Sequence, residues 1–354
     1  MNHNVAFIFP GQGSQTVGMG RELAQMHPVA QETFLEADAA LGFKLSQVCW
    51  EGPEDKLRLT EITQPAILTV AVAAFRVLQE KGITPAITAG HSLGEYSAQV
   101  AAGTLEFRDA VRTVHHRGRY MQEAVPVGEG AMAAILGMPI DELRALCFHV
   151  VDDVRAAHQL KESGSDDLDD VLLTISTDES RHGFAYVGGV RVCCQPANIN
   201  SPDQIVISGS KAAVERAAEM AKHRGAKRAI MLPVSAPFHS ALMQPAQDRL
   251  APDLQALAFH SMRVPVVTNV DAEVVSDPDQ ARDALIRQVT GAVQWEPCMR
   301  LLIGRGISTF IEVGPGKVLC GLMRQIDRSM TCLNVEDEAS LQKVVNHFAG
   351  VEVK

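Results

Sequence analysis

The sequence has no CxxC pair and no Cys/His spacing suited to a metal, which excludes the common dithiol and zinc motifs. Its seven cysteines are odd in number, as expected of a reducing compartment, and adjacent Cys193 and Cys194 read as two faces of a strand. Basic surplus is also lacking: a net charge of -10 and a pI near 5.6 argue against nucleic acid or an anionic membrane as the main partner. No apolar run reads as long enough to span a bilayer. Met1 to Asn4 lead straight into Val5 to Phe9 without a basic region or a cleavage site, so the expected location is cytoplasmic. Two Gly-rich loops fall short of phosphate sites. Gly11 to Thr16 lacks the third glycine of a dinucleotide fingerprint, and Gly314 to Lys317 lacks the spacing and the Ser/Thr of a Walker loop. No internal repeat is evident.

What is present is an ordinary globular composition, 46% hydrophobic and 21% charged, over 354 residues, enough for a large and a small core. Short β-branched runs alternate with amphipathic ones: a strand at Val5 to Phe9, a helix at Gly18 to Met26, a long apolar helix at Gln64 to Lys81, a helix at Phe107 to Ala124. That alternation predicts an α/β unit on a buried, parallel sheet. After Val127 to Gly130 the order changes to strand (Ala131 to Leu136), helix (Ile140 to Cys147), strand, strand (Gln204 to Ser208), helix (Lys211 to Arg224), strand (Ala229 to Val234). This is a βαββαβ, ferredoxin-like unit. The expected organisation is therefore a large α/β domain over 1–126 and 235–354, with a ferredoxin-like subdomain inserted over 127–234. The α/β pattern resumes with a strand at Arg263 to Val267, a helix at Asp283 to Val289 and a strand at Ile307 to Val313.

Ser92 is the centre of Gly90-His91-Ser92-Leu93-Gly94, between a strand-like run (Ile83 to Ala89) and a helix-like one (Glu95 to Ala102). A GxSxG in that context is a nucleophile elbow: a sharp turn exposes the serine, and only glycine leaves room for the backbone to fold back beside it. The amides opening the helix face the serine, where an oxyanion would form. The residues point to acyl transfer. The loop Gly11 to Thr16, following the first strand, is placed to offer a second amide.

Six segments stand out together: Phe9 to Gln15, Gly90 to Glu95, Arg117-Gly118, Pro237-Phe238-His239-Ser240, Gln288 ahead of Val293-Gln294-Trp295, and Glu312 to Lys317. They occur in the order seen in malonyl-CoA:acyl-carrier-protein transacylases, and the chain resembles that family over nearly its whole length. The resemblance implies an α/β-hydrolase-like core and a Ser–His dyad, with Ser92 attacking the thioester of malonyl-CoA and His239 moving its proton. It further implies that the backbone carbonyl of Gln288 orients the imidazole, that the amides of Gln12 and Leu93 form the oxyanion hole, and that Asn200 lines the pocket. Arg117 would hold the malonyl carboxylate, for which a planar guanidinium is suited. Phe238 resembles the bulky choice of malonyl-selective members and would crowd an α-methyl group. His91, next to the serine on a tight turn, and His115 and His116, in mid-helix, read as structural.

The partners implied are malonyl-CoA and an acyl carrier protein, serving fatty acid or polyketide synthesis, with no cofactor and no metal. Carrier proteins are acidic. Lys222, Arg224, Lys227 and Arg228 crowd around Gly225, and by resemblance Lys227 and Arg228 receive the carrier. The chain departs from the family pattern at about 148–190. Nine acidic residues stand against two basic ones between Asp152 and Glu179, seven of the ten net negative charges. This insertion is expected to project away from Lys227 and Arg228 and to be dispensable for chemistry, with Val171 to Ile175 and Phe184 to Val187 able to pair as a hairpin. Two other readings stand beside malonyl transfer. A serine-dependent acyl-thioester hydrolase would have no use for the Arg117 clamp, and a noncatalytic scaffold would have no reason to hold Ser92, His239 and Arg117 together.

Overall fold

The computed structural model describes residues 4–163, 184–187, 190–234 and 236–350. The chain forms two compact units. One comprises Met1–Tyr120, Arg249–Ile286 and Gln294–Lys354, the other Met121–Asp248 and Arg287–Val293. The smaller unit takes in more chain than 127–234, so that His239 and Gln288 belong to it.

The larger unit is built on a six-stranded sheet. Its strands are β1 (Val5–Phe9), β2 (Ile87–Gly90), β8 (Val266–Val267), β9 (Val274–Val275), β10 (Thr309–Val313) and β11 (Thr331–Val335), in the order β11-β10-β1-β2-β8-β9. All neighbours are parallel except β8 and β9. Every residue of β1 is buried, as expected of a parallel strand covered on both faces. This is the α/β-hydrolase-like core.

The helix Thr60–Glu80 corrects one expectation, because it is long and apolar enough to cross a membrane, yet 89% of its apolar window is buried in protein. It is a core helix. Pro65 lies inside it and has no N–H to give to the Glu61 carbonyl one turn back. That carbonyl is bonded instead by Nδ1 of His115, 2.7 Å away, which accounts for the mid-helix histidine. His116 is likewise occupied, 3.0 Å from Asp253.

The smaller unit holds β3 (Gly130–Leu136), β4 (Phe184–Val187), β5 (Val190–Ser201), β6 (Gln204–Ser210) and β7 (Arg228–Met231), ordered β4-β5-β6-β3-β7 and antiparallel throughout. Without β4 the order is that of a ferredoxin-like sheet. The helices Ile140–Ser163 and Lys211–His223 belong to the same unit; Leu143, Leu146 and Val150 of the first and Val214, Ala217 and Ala221 of the second share a core with Ile135, Ile205 and Ile207. The first helix ends sixteen residues later than Cys147, absorbing the start of the acidic stretch. Phe184–Val187 pairs with the start of β5; Val171 to Ile175, the other half of the expected hairpin, lies outside the described residues.

Cys193 and Cys194 fall in β5 and are both buried, as a strand reading predicts. A hydrogen bond with Cys147 and burial hold the Cys194 thiol well above its ordinary range. One cysteine pair departs from the expectation of reduced thiols: Cys320 and Cys332 form a disulfide, Cα to Cα 5.5 Å, and the other five are buried thiols.

Candidate active site

In the larger unit Ser92 has φ 52°, a left-handed backbone that a serine adopts only when held there. The glycines around it have steric causes. A Cβ on Gly90 would overlap the backbone of Gly94, and one on Gly94 would overlap the Phe9 carbonyl. His91 donates its backbone N–H to that carbonyl (2.9 Å), and its ring packs 5.5 Å from the Trp295 ring, a structural role. Gly11 lies so close to the His91 carbonyl that a side chain there would collide with it, which places the loop carrying Gln12 against the elbow.

The helix Gly94–Ala102 starts on the elbow. Its first amides are used in tight turns: Gly94 N–H to His91 O (2.9 Å), Glu95 N–H to Ser92 O (3.1 Å) and Tyr96 N–H to Leu93 O (3.0 Å). These turns begin one residue after Leu93.

Arg117 reaches the same place from the helix Phe107–Glu123. At Gly118 this helix crosses the start of Thr60–Glu80 so closely that a Cβ would overlap Thr60 and Glu61. That approach sets Arg117 against Gln64: one guanidinium nitrogen donates to Gln64 Oε1 (2.8 Å) and the other to Ser92 Oγ (3.1 Å). The side chain is buried, and its cationic end lies 5.6 Å from the Tyr96 ring centre. Burial lowers the Arg117 pKa, while the Tyr96 phenol and the Glu95 carboxylate oppose that shift. An arginine starts so high that it stays charged.

In the smaller unit His239 also has a left-handed backbone, φ 58°. Its Nδ1 lies 2.9 Å from the Gln288 carbonyl oxygen. A carbonyl can only accept, so the ring proton sits on Nδ1 and Nε2 of the neutral ring carries the lone pair. Both residues are buried. Gln195, on β5, brackets the histidine: its Oε1 accepts from the Ala241 N–H (3.1 Å), and its Nε2 lies 3.4 Å from the His239 carbonyl oxygen. Phe238 packs with Met132, Ala134, Ala197 and Val206 on the sheet. The Asn200 amide lies 3.4 Å from Gln204 Oε1. Lys227 pairs with Asp203 (3.4 Å) at the surface, and Arg228 is exposed beside it.

Three site residues were not anticipated from the sequence. Gln64 and Gln195 are described above; the third, Asn269, accepts at Oδ1 from the Ser92 N–H (2.7 Å) and donates from Nδ2 to the Gly90 carbonyl (2.6 Å). Asn269 lies just past the end of β8, beside the elbow that follows β2 on the neighbouring strand, a proximity that the sequence does not display.

Residues 6–163 match the family described as acyl transferase domain. A malonyl CoA-acyl carrier protein transacylase of Bacillus subtilis is 45% identical over 341 residues, covering 96% of each chain. The chain belongs to this transacylase family. Among solved transacylase structures, an acyl carrier protein S-malonyltransferase from Vibrio cholerae superposes with a TM-score of 0.84 at 42% identity, covering 96% of this chain and 99% of that one. A malonyl-transacylase solved in complex with its type II PKS acyl-carrier protein gives the same TM-score at 40% identity, covering 97% and 99%.

Proposed function

We propose that this acyltransferase moves the malonyl group of malonyl-CoA to the phosphopantetheine thiol of an acyl carrier protein, through a malonyl ester on Ser92, for fatty acid or polyketide synthesis. Ser92 Oγ attacks the thioester carbonyl, and Nε2 of His239 takes its proton and returns one to the departing CoA thiol. The amides of Leu93 and Gln12 receive the oxyanion. In the second half-reaction the carrier thiol attacks the Ser92 ester, His239 takes the thiol proton, and Ser92 regains it as the ester bond breaks.

One observation carries the reading: a buried guanidinium 3.1 Å from the nucleophilic oxygen. The malonyl carboxylate stands one methylene from the carbonyl under attack, so its cationic partner must lie beside the serine. Arg117 does, and Gln64 fixes the plane of its fork. Phe238 and Asn200 are assigned to the acyl pocket, and Lys227 and Arg228 to carrier docking, by family position. No step needs a cofactor or a metal. The reaction is assigned to the cytoplasm, in keeping with a CoA thioester substrate.

Malonyl-CoA alone is expected to add one malonyl group to the intact protein by mass spectrometry, and none to Ser92→Ala. Added holo-carrier should take the label. A labelled Ser92→Ala protein overturns the mechanism, and release of free malonate in place of transfer would make the protein a hydrolase.

A further inference from the structure

The left-handed backbone at Ser92 has to be held against its tendency to relax. Glycines 90 and 94 permit the turn; they do not enforce it. Asn269 is fully buried and follows β8, the strand next to β2. Its carboxamide grips the peptide groups on both sides of His91, accepting from the Ser92 N–H at 2.7 Å and donating to the Gly90 carbonyl at 2.6 Å. Its own backbone is held in turn. The Asn269 N–H donates to Glu95 Oε2 (3.0 Å), in the first turn of the helix that leaves the elbow, and its carbonyl accepts from the Gln294 N–H (3.0 Å). The result is a closed ring of bonds from Ser92 through Asn269 to Glu95, three residues on.

We infer that Asn269 is a positioning residue for the nucleophile: it clasps the elbow so that Ser92 Oγ stays at Arg117 and the Leu93 N–H stays directed at the oxyanion. This rests on Ser92 being the nucleophile. The clasp also consumes the Ser92 N–H, which leaves the next amide, that of Leu93, to serve the oxyanion. The carboxamide fits both partners at any working pH. A carboxylate accepts from the Ser92 N–H but sets a second oxygen against the Gly90 carbonyl, and an aliphatic residue meets neither group.

The test is the rate of Ser92 acylation by malonyl-CoA, followed by intact mass on the full chain, for Asn269→Ala and Asn269→Asp. Asn269→Ala should acylate more slowly by a factor on the order of ten to a hundred, the scale of a misplaced reacting atom, with half-saturating malonyl-CoA changed less than about twofold because Arg117 is untouched. Asn269→Asp should be as slow at pH 8. It should recover relative to the parent as the pH falls to 5.5, where a protonated carboxyl, favoured by neighbouring Glu95, again donates to Gly90. If the alanine variant does not fold, the isosteric aspartate variant carries the same test through its pH series. Normal acylation by folded Asn269→Ala, or a pH-independent ratio of Asn269→Asp to the parent, overturns the inference. Label on Ser92→Ala would instead overturn the reading beneath it.

Discussion

Ser92 and His239 sit in different units, and both have left-handed backbones, φ 52° and 58°, but they are held differently. The serine is gripped by one fully buried carboxamide through two short bonds, 2.7 and 2.6 Å. The histidine ring meets the Gln288 carbonyl at 2.9 Å, and its backbone is bracketed by half-buried Gln195 at 3.1 and 3.4 Å. The contrast follows the chemistry. A nucleophile must keep one oxygen fixed against donors and cation, whereas a base that serves two half-reactions has to reach a serine proton and two different thiols.

The largest test of the contrast is on the serine side. In Arg117→Ala the malonyl carboxylate loses its partner, at about 2–5 kcal/mol, while acetyl-CoA loses nothing. Selectivity, measured as the ratio of acylation rates with the two thioesters, should collapse. An unchanged ratio would remove Arg117 from the clamp. On the histidine side, His239→Ala should slow acylation by a factor on the order of a hundred, since general-base help is lost and the oxyanion donors remain. A smaller loss, about tenfold or less, is expected of Gln195→Ala in the same assay, because the Gln288 contact still orients the ring. If Gln195→Ala is hit harder than Asn269→Ala, the proposed difference between the two halves is reversed. The smallest effect belongs to the surface. Reversing Lys227 and Arg228 to glutamate should weaken transfer to carrier several-fold and flatten its salt dependence, yet leave acylation by malonyl-CoA intact. Equal loss in both half-reactions would rule out docking there.

The elbow was legible in the sequence because its rule is local: two glycines that no other residue could replace, between a strand and a helix. The ferredoxin-like unit was legible because its strands and helices follow one another as consecutive runs, although of its four strands only β5 and β6 pair with a sequence neighbour. Asn269 was not, because its partner Ser92 is 177 residues away and the bond depends on β8 lying beside β2, which no local pattern states. Gln64 hid inside an apolar helix, and Gln195 inside a strand. The Cys320–Cys332 pair is twelve residues apart and matches no dithiol motif. Helix Ile140–Ser163 runs past Cys147 because Val150 and Val151 continue its buried face into the core of the unit.

β1 lies between β2 and β10, so the middle of the larger sheet joins residues near 5, 90 and 310. At synthesis rates of about 5–20 residues per second, the first strand leaves the ribosome roughly 15–60 seconds before β10 exists. Most of the smaller unit, contiguous from Met121 to Asp248, is complete by then. A nascent chain of this protein therefore carries a finished antiparallel sheet while one edge of its buried first strand still awaits β10, and that interval is when it is most in need of a chaperone.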